Sequence, residues 1–103
     1  LDVLVMKAVA EEPRHGYGVA EWIRGTTDGT LEIEDGALYT SLHRMQKRGW
    51  LDSEWGVSEN NRRAKYYHLT ADGRAELKRA SGDWARYADA VFKVLGPASG
   101  AER

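Results

Sequence analysis

Gly36-Ala37-Leu38-Tyr39-Thr40-Ser41-Leu42-His43-Arg44-Met45-Gln46-Lys47-Arg48-Gly49-Trp50-Leu51 is the stretch on which the fold turns. Leu38, Leu42 and Met45 are spaced four and three, which puts one apolar stripe on a helix. Thr40, Ser41, Arg44, Lys47 and Arg48 fall on or near the opposite side. Asp35 supplies an N-cap, and Gly49 a stop that tolerates left-handed backbone. Directly after the stop come two runs of alternating character, Trp50 to Trp55 and Ala64 to Leu69. They read as a hairpin. Residues 56–63 join them, a connection longer than a two-residue turn that ends in Arg62 and Arg63, so an extended, mobile tip is expected.

Upstream, Leu1, Leu4, Val5, Ala8 and Val9 recur at helical spacing, and Pro13 closes that helix. His15-Gly16-Tyr17-Gly18 opens a second, short helix marked by Val19, Trp22 and Ile23 and ending near Gly25. Gly25 to Gly29 reads as a turn, and Leu31 and Ile33 alternate with Glu32 and Glu34 enough for a very short strand. Downstream, Thr70 caps a last helix with Asp72 in its first turn, where negative charge suits the helix dipole. Along it Leu77, Ala80, Trp84, Tyr87, Val91 and Val94 form a heptad seam. Gly82 interrupts that helix at about 1 kcal/mol relative to Ala.

The resulting order is helix, helix, short strand, helix, hairpin, long helix. The expected class is mainly α with a small β hairpin, a winged helix-turn-helix with a long C-terminal dimerisation helix. Residues 1–70 would form the DNA-binding domain and 71–95 the dimerisation helix of the same unit, with 96–103 a disordered tail. Such folds lay the third helix in the major groove and reach flanking backbone or minor groove with the wing.

Net charge is −1 over 103 residues, which argues against nucleic acid until it is divided along the chain. Residues 36–70 hold six bases and three acids, and the bases cluster as Arg44, Lys47, Arg48 and as Arg62, Arg63, Lys65. Phosphates respond to that local surface rather than to the total. Thr40, Ser41 and Arg44 are the candidates for base edges, and Ala37 could touch a thymine methyl. Tyr17, Tyr39 and Lys47 are assigned to phosphates, with Arg62, Arg63 and Lys65 on the wing. Trp84, Tyr87 and Phe92 crowd the last helix, where a small aromatic effector could stack; an aromatic dimer core is the plainer explanation.

Other classes find little support. There is no cysteine, no apolar run long enough to span a bilayer and no phosphate-binding glycine loop. His15, His43 and His68 sit in separate elements without metal-ligand spacing, so no metal, cofactor or enzymatic activity is expected. Glu32, Glu34 and Asp35 are close together but belong to a short acidic strand and a cap. The start at Leu1 lacks both an initiator Met and signal-peptide regions, so cytoplasmic residence and a trimmed N-terminus are expected.

Five segments resemble the PadR family of regulators. They are His15-Gly16-Tyr17-Gly18, Gly36 through Arg44, Gly49-Trp50-Leu51, Arg62-Arg63-Ala64-Lys65-Tyr66-Tyr67 and Leu69-Thr70-Ala71-Asp72-Gly73-Arg74. The resemblance runs in order from residue 1 to about residue 95. Thr40 departs from it, where Pro is usual, and so does Ala37, where Ser or Thr is common; both bear on specificity more than on fold. The resemblance implies a homodimeric repressor that pairs through its C-terminal helix, binds an inverted-repeat operator in double-stranded DNA and is released by a small molecule. A winged helix used only for protein–protein contact is the alternative, and it would lack salt-dependent binding to duplex DNA.

Overall fold

A computed structural model describes residues 1–96. Its elements are α1 (Asp2–Glu11), α2 (Gly16–Thr26), α3 (Asp35–Lys47), β1 (Leu51–Val57), β2 (Arg63–Leu69) and α4 (Ala71–Leu95). The expected tail lies, from residue 97 on, outside the described residues. No helix among the described residues is long and apolar enough to cross a membrane.

The core is built where the apolar stripes meet. α1 contributes Val5, Met6, Ala8 and Val9, and α2 adds Val19 and Ile23. Leu38, Leu42 and Met45 of α3 are buried as their spacing requires, and Leu51, Tyr67 and Leu69 close the core from the hairpin root. Burial of each large side chain stabilises the fold by about 1.5–3 kcal/mol.

Helix ends follow local chemistry. His15 caps α2, its Nδ1 accepting from the Gly18 N–H at 2.9 Å. Asp35 is the first helical residue of α3 and not its cap; Glu34 holds the cap position without a side-chain bond. At the other end Trp50 N–H reaches the Met45 carbonyl at 3.0 Å and Gly49 N–H the Gln46 carbonyl at 3.0 Å. With Gly49 at φ +82° this is a Schellman stop, a left-handed position that favours glycine.

Two further expectations need correction. Residues 31–34 form no strand. The Leu31 N–H is taken by the Thr27 hydroxyl at 3.1 Å, and Arg14 occupies the edge of β2, exchanging backbone bonds with Tyr67 at 2.9 and 3.1 Å. The hairpin is also longer than its alternation suggests, pairing from Leu51↔Leu69 out to Val57↔Arg63. Gly56 stays in the ladder because the Tyr66 ring covers it, where a Cβ would stand 2.9 Å from the ring. The tip shrinks to residues 58–62, closed by Ser58 N–H to the Arg62 carbonyl at 2.8 Å, with Asn61 at φ +59°.

The hairpin root is locked to α4 by one residue pattern. The Thr70 hydroxyl accepts from Gly73 N–H at 3.0 Å and donates to the Gly49 carbonyl at 2.6 Å. The Thr70 N–H binds the Trp50 carbonyl at 3.1 Å. Gly73 passes so close that a Cβ there would stand 2.0 Å from the Trp50 carbonyl oxygen. That oxygen belongs to backbone and cannot swing aside. Gly73→Ala is therefore expected to lower stability by about 2–3 kcal/mol, read as a shift in the urea midpoint.

Candidate nucleic-acid interface

Because Leu38, Ser41, Leu42 and Met45 point inward, the residues pointing most directly away from the core are Gly36, Thr40, His43 and Lys47. All four are exposed. Thr40 and Lys47 are expected there. His43 is not, although its spacing of three from Thr40 and four from Lys47 marks it. Ala37 is exposed at one edge of this face, and Tyr39 at the other.

Ser41 does not belong to it. It is 1% exposed, and its hydroxyl donates to Oδ1 of Asp2 at 2.6 Å. Arg44 turns the same way and pairs with the same carboxylate. Neither is free to read a base in this arrangement: one is buried, and the other is neutralised by the first turn of α1.

Tyr39 leans toward α2, its hydroxyl lying where a Cβ on Gly16 would be 2.5 Å away. The glycine of the His15-Gly16 pair is thus a seat for the Tyr39 phenol. Burial pushes the Tyr67 phenol behind it above the usual tyrosine range, with a smaller contribution from Tyr39.

The wing is held against α2 through His15. Its ring lies 5.1 Å from Tyr66 and 6.3 Å from Tyr17, and its Nε2 is 3.8 Å from a Glu59 carboxylate oxygen at the wing tip. Between α2, α3 and the wing runs an open groove of about 640 Å³. Of the expected DNA-contact residues, Tyr17, Tyr39, Arg62, Arg63 and Lys65 line it together, with His43 beside them. Ala37, Thr40 and Lys47 lie outside its lining. Among the described residues no group of His, Asp or Glu is placed to hold a metal ion.

α4 presents two unlike faces. Glu76, Arg79, Asp83 and Arg86 form a chain of ion pairs along one, with Arg79 to Asp83 at 2.7 Å. The Arg79 guanidinium holds the Glu76 carboxyl below its ordinary range. On the seam, Leu77 packs against the chain's own core and Ala80 and Val91 are half-buried. Trp84, Tyr87 and Val94 are 58, 60 and 84% exposed. The Trp84 and Tyr87 rings stack at 5.4 Å beside a second groove of about 600 Å³, walled by Leu1, Val3, Leu4 and Leu31. Phe92 is not among the residues lining it.

A helical core, an exposed third helix and a two-stranded wing define a winged helix-turn-helix protein of the DNA-binding class. The sequence pattern of the Transcriptional regulator PadR-like family matches residues 5–79, and the chain belongs to that family. It is accordingly a transcriptional regulator and not an enzyme. The chain is similar to a transcriptional regulator from Clostridium thermocellum, 27% identical over 90% of each chain with a TM-score of 0.81. It is similar to a PadR family transcription regulator from Clostridium difficile, 25% identical over 92% of this chain and 97% of that one, TM-score 0.78. A PadR family regulator from Eggerthella lenta is 29% identical over 92% of this chain and 80% of that one, TM-score 0.75.

The Asp2–Arg44 pair makes a testable prediction. Asp2→Asn keeps an acceptor for Ser41 but releases the guanidinium, so affinity for random-sequence duplex should rise. The slope of log affinity against log salt should steepen by up to about 0.9. Arg44→Ala in the same chain should cancel the gain.

Proposed function

We propose that the chain represses transcription by binding an inverted-repeat operator in duplex DNA as a symmetric homodimer, within the cytoplasm. The observation that carries this reading is the exposed row Gly36, Thr40, His43 and Lys47 on α3, of which His43 lines one groove with the wing bases Arg62, Arg63 and Lys65. In it α3 enters the major groove, where Thr40 and His43 meet base edges and the small Gly36 and Ala37 allow close approach. A histidine N–H can donate to a purine acceptor there. Tyr17, Tyr39 and Lys47 meet phosphates, as do the wing bases. Residues 1–70 do the reading and 71–95 the pairing.

Thr40→Ala and His43→Ala should then change which sequences are preferred, each at a cost of about 1–3 kcal/mol if it removes a good base contact. Lys47→Ala should weaken operator and random duplexes alike. Removing Arg62 and Arg63 together should flatten the salt slope by about 0.9 for each phosphate no longer neutralised. All are read by fluorescence anisotropy at stated salt. Binding that ignores salt would favour the alternative of a protein–protein module.

The dimer rests on the exposed part of the α4 seam, Trp84, Tyr87 and Val94, with Ala80 and Val91 at its margin. An apolar stripe of that length is unfavourable in water without a partner. The expected outcome is a dimer by sedimentation at micromolar concentration, and monomers for Val91→Asp, which places an unpaired charge at the seam.

Release by a small aromatic effector is the finest part of the proposal, supported by the stacked Trp84–Tyr87 pair at the apolar groove. Phenolic or polyaromatic compounds should quench emission in the unmodified chain and release DNA, and do neither after Trp84→Ala.

A further inference from the structure

The wing carries an exposed aromatic that neither the core nor the reading helix uses. Trp55 stands opposite Lys65 in the β1–β2 ladder, on the sheet face shared by Leu51, Tyr67 and Leu69. Near the root that face is core, with those three residues at most 5% exposed. Further out the same face emerges beside α3, where Trp55, 57% exposed, lines the groove with Tyr39 and His43.

Two cations gather on this indole. The Arg63 guanidinium lies 4.4 Å from the ring centroid, and the Lys65 ammonium 5.9 Å from it. The ring quadrupole attracts both, and the planar guanidinium can also stack on it. Among the described residues neither cation enters an ion pair. The wing thus offers a half-exposed indole with two unneutralised charges over its ring, facing the groove beside α3. A duplex backbone presents the complement, phosphates alternating with apolar deoxyribose faces.

We propose that Trp55 is a DNA-contact and positioning residue: its indole holds Arg63 toward a backbone phosphate while its exposed edge packs on the neighbouring sugar. This rests on the DNA-binding reading above. The indole reduces the side-chain freedom that Arg63 gives up on reaching the phosphate, so the two residues act as one unit.

The test combines affinity, coupling and emission on one duplex at fixed salt. Trp55→Ala should lower affinity about five- to tenfold, and Trp55→Phe, which keeps a ring under the guanidinium, should restore most of it. Adding Trp55→Ala to Arg63→Ala should weaken binding by less than about threefold more, because the effects of the single changes overlap. Melting temperatures should stay close to the unmodified chain's, since the indole is outside the core. Duplex should change tryptophan emission more in the unmodified chain than in Trp55→Phe. Unchanged affinity in Trp55→Ala, or effects that multiply fully in the double variant, would overturn the proposal. If the unmodified chain shows no salt-dependent duplex binding, both this proposal and the DNA-binding reading fall; if it binds and the Trp55 variants bind equally well, only this proposal does.

Discussion

The close passage of Gly73 over the Trp50 carbonyl is the constraint on which the rest of the structure depends. That carbonyl ends the turn that stops α3, begins the hairpin and receives the Thr70 N–H that starts α4. Three elements are therefore referred to one peptide unit. Thr70 adds a hydroxyl bonded on both sides, to Gly73 and to Gly49, so the two glycines and the threonine work as a single joint. Without a close approach here the wing would not stand beside α3, and α4 would not leave the body at a set angle. The glycines are needed for different reasons: Gly49 for its left-handed backbone, Gly73 for the space a Cβ would fill.

A chain of net charge −1 can still present a basic surface if its acids are paired elsewhere. Asp2 is engaged by Ser41 and Arg44, and Glu76 and Asp83 by Arg79 and Arg86 along α4. The wing bases are left facing the groove. The same pairing withdraws Arg44 from the reading face. A basic residue near the right position on a recognition helix is not thereby a reader; it matters what stands across from it.

Much of this is legible in the residues. The spacing of Leu38, Leu42 and Met45 sets the inward face of α3, and Thr70 with Asp72 marks the start of α4, because capping and periodicity are local. What escapes is non-local. Ser41 lies three after Leu38 and four before Met45, so periodicity alone puts it inside; its polar type conceals that, and the partner that makes burial tolerable, Asp2, is far away in sequence. His43 is marked by its spacing, three from Thr40 and four from Lys47, but as a histidine without metal-ligand spacing it stands outside the basic clusters from which the outward face is read. The Leu31–Ile33 alternation loses to Arg14, which takes the edge of β2. Gly56 reads as the end of a strand, because nothing in alternation reveals that Tyr66 packs over it.

The central claim is that two copies of α3, held by a two-fold dimer, read duplex DNA one helical turn apart. It is tested most directly by selecting bound duplexes from a random pool at fixed, stated salt and sequencing the survivors. A two-fold dimer predicts enrichment of an inverted repeat with half-site centres about 10–10.5 base pairs apart, or a multiple of that spacing. Enrichment of a single unpaired half-site, or no enrichment over the starting pool, would contradict it.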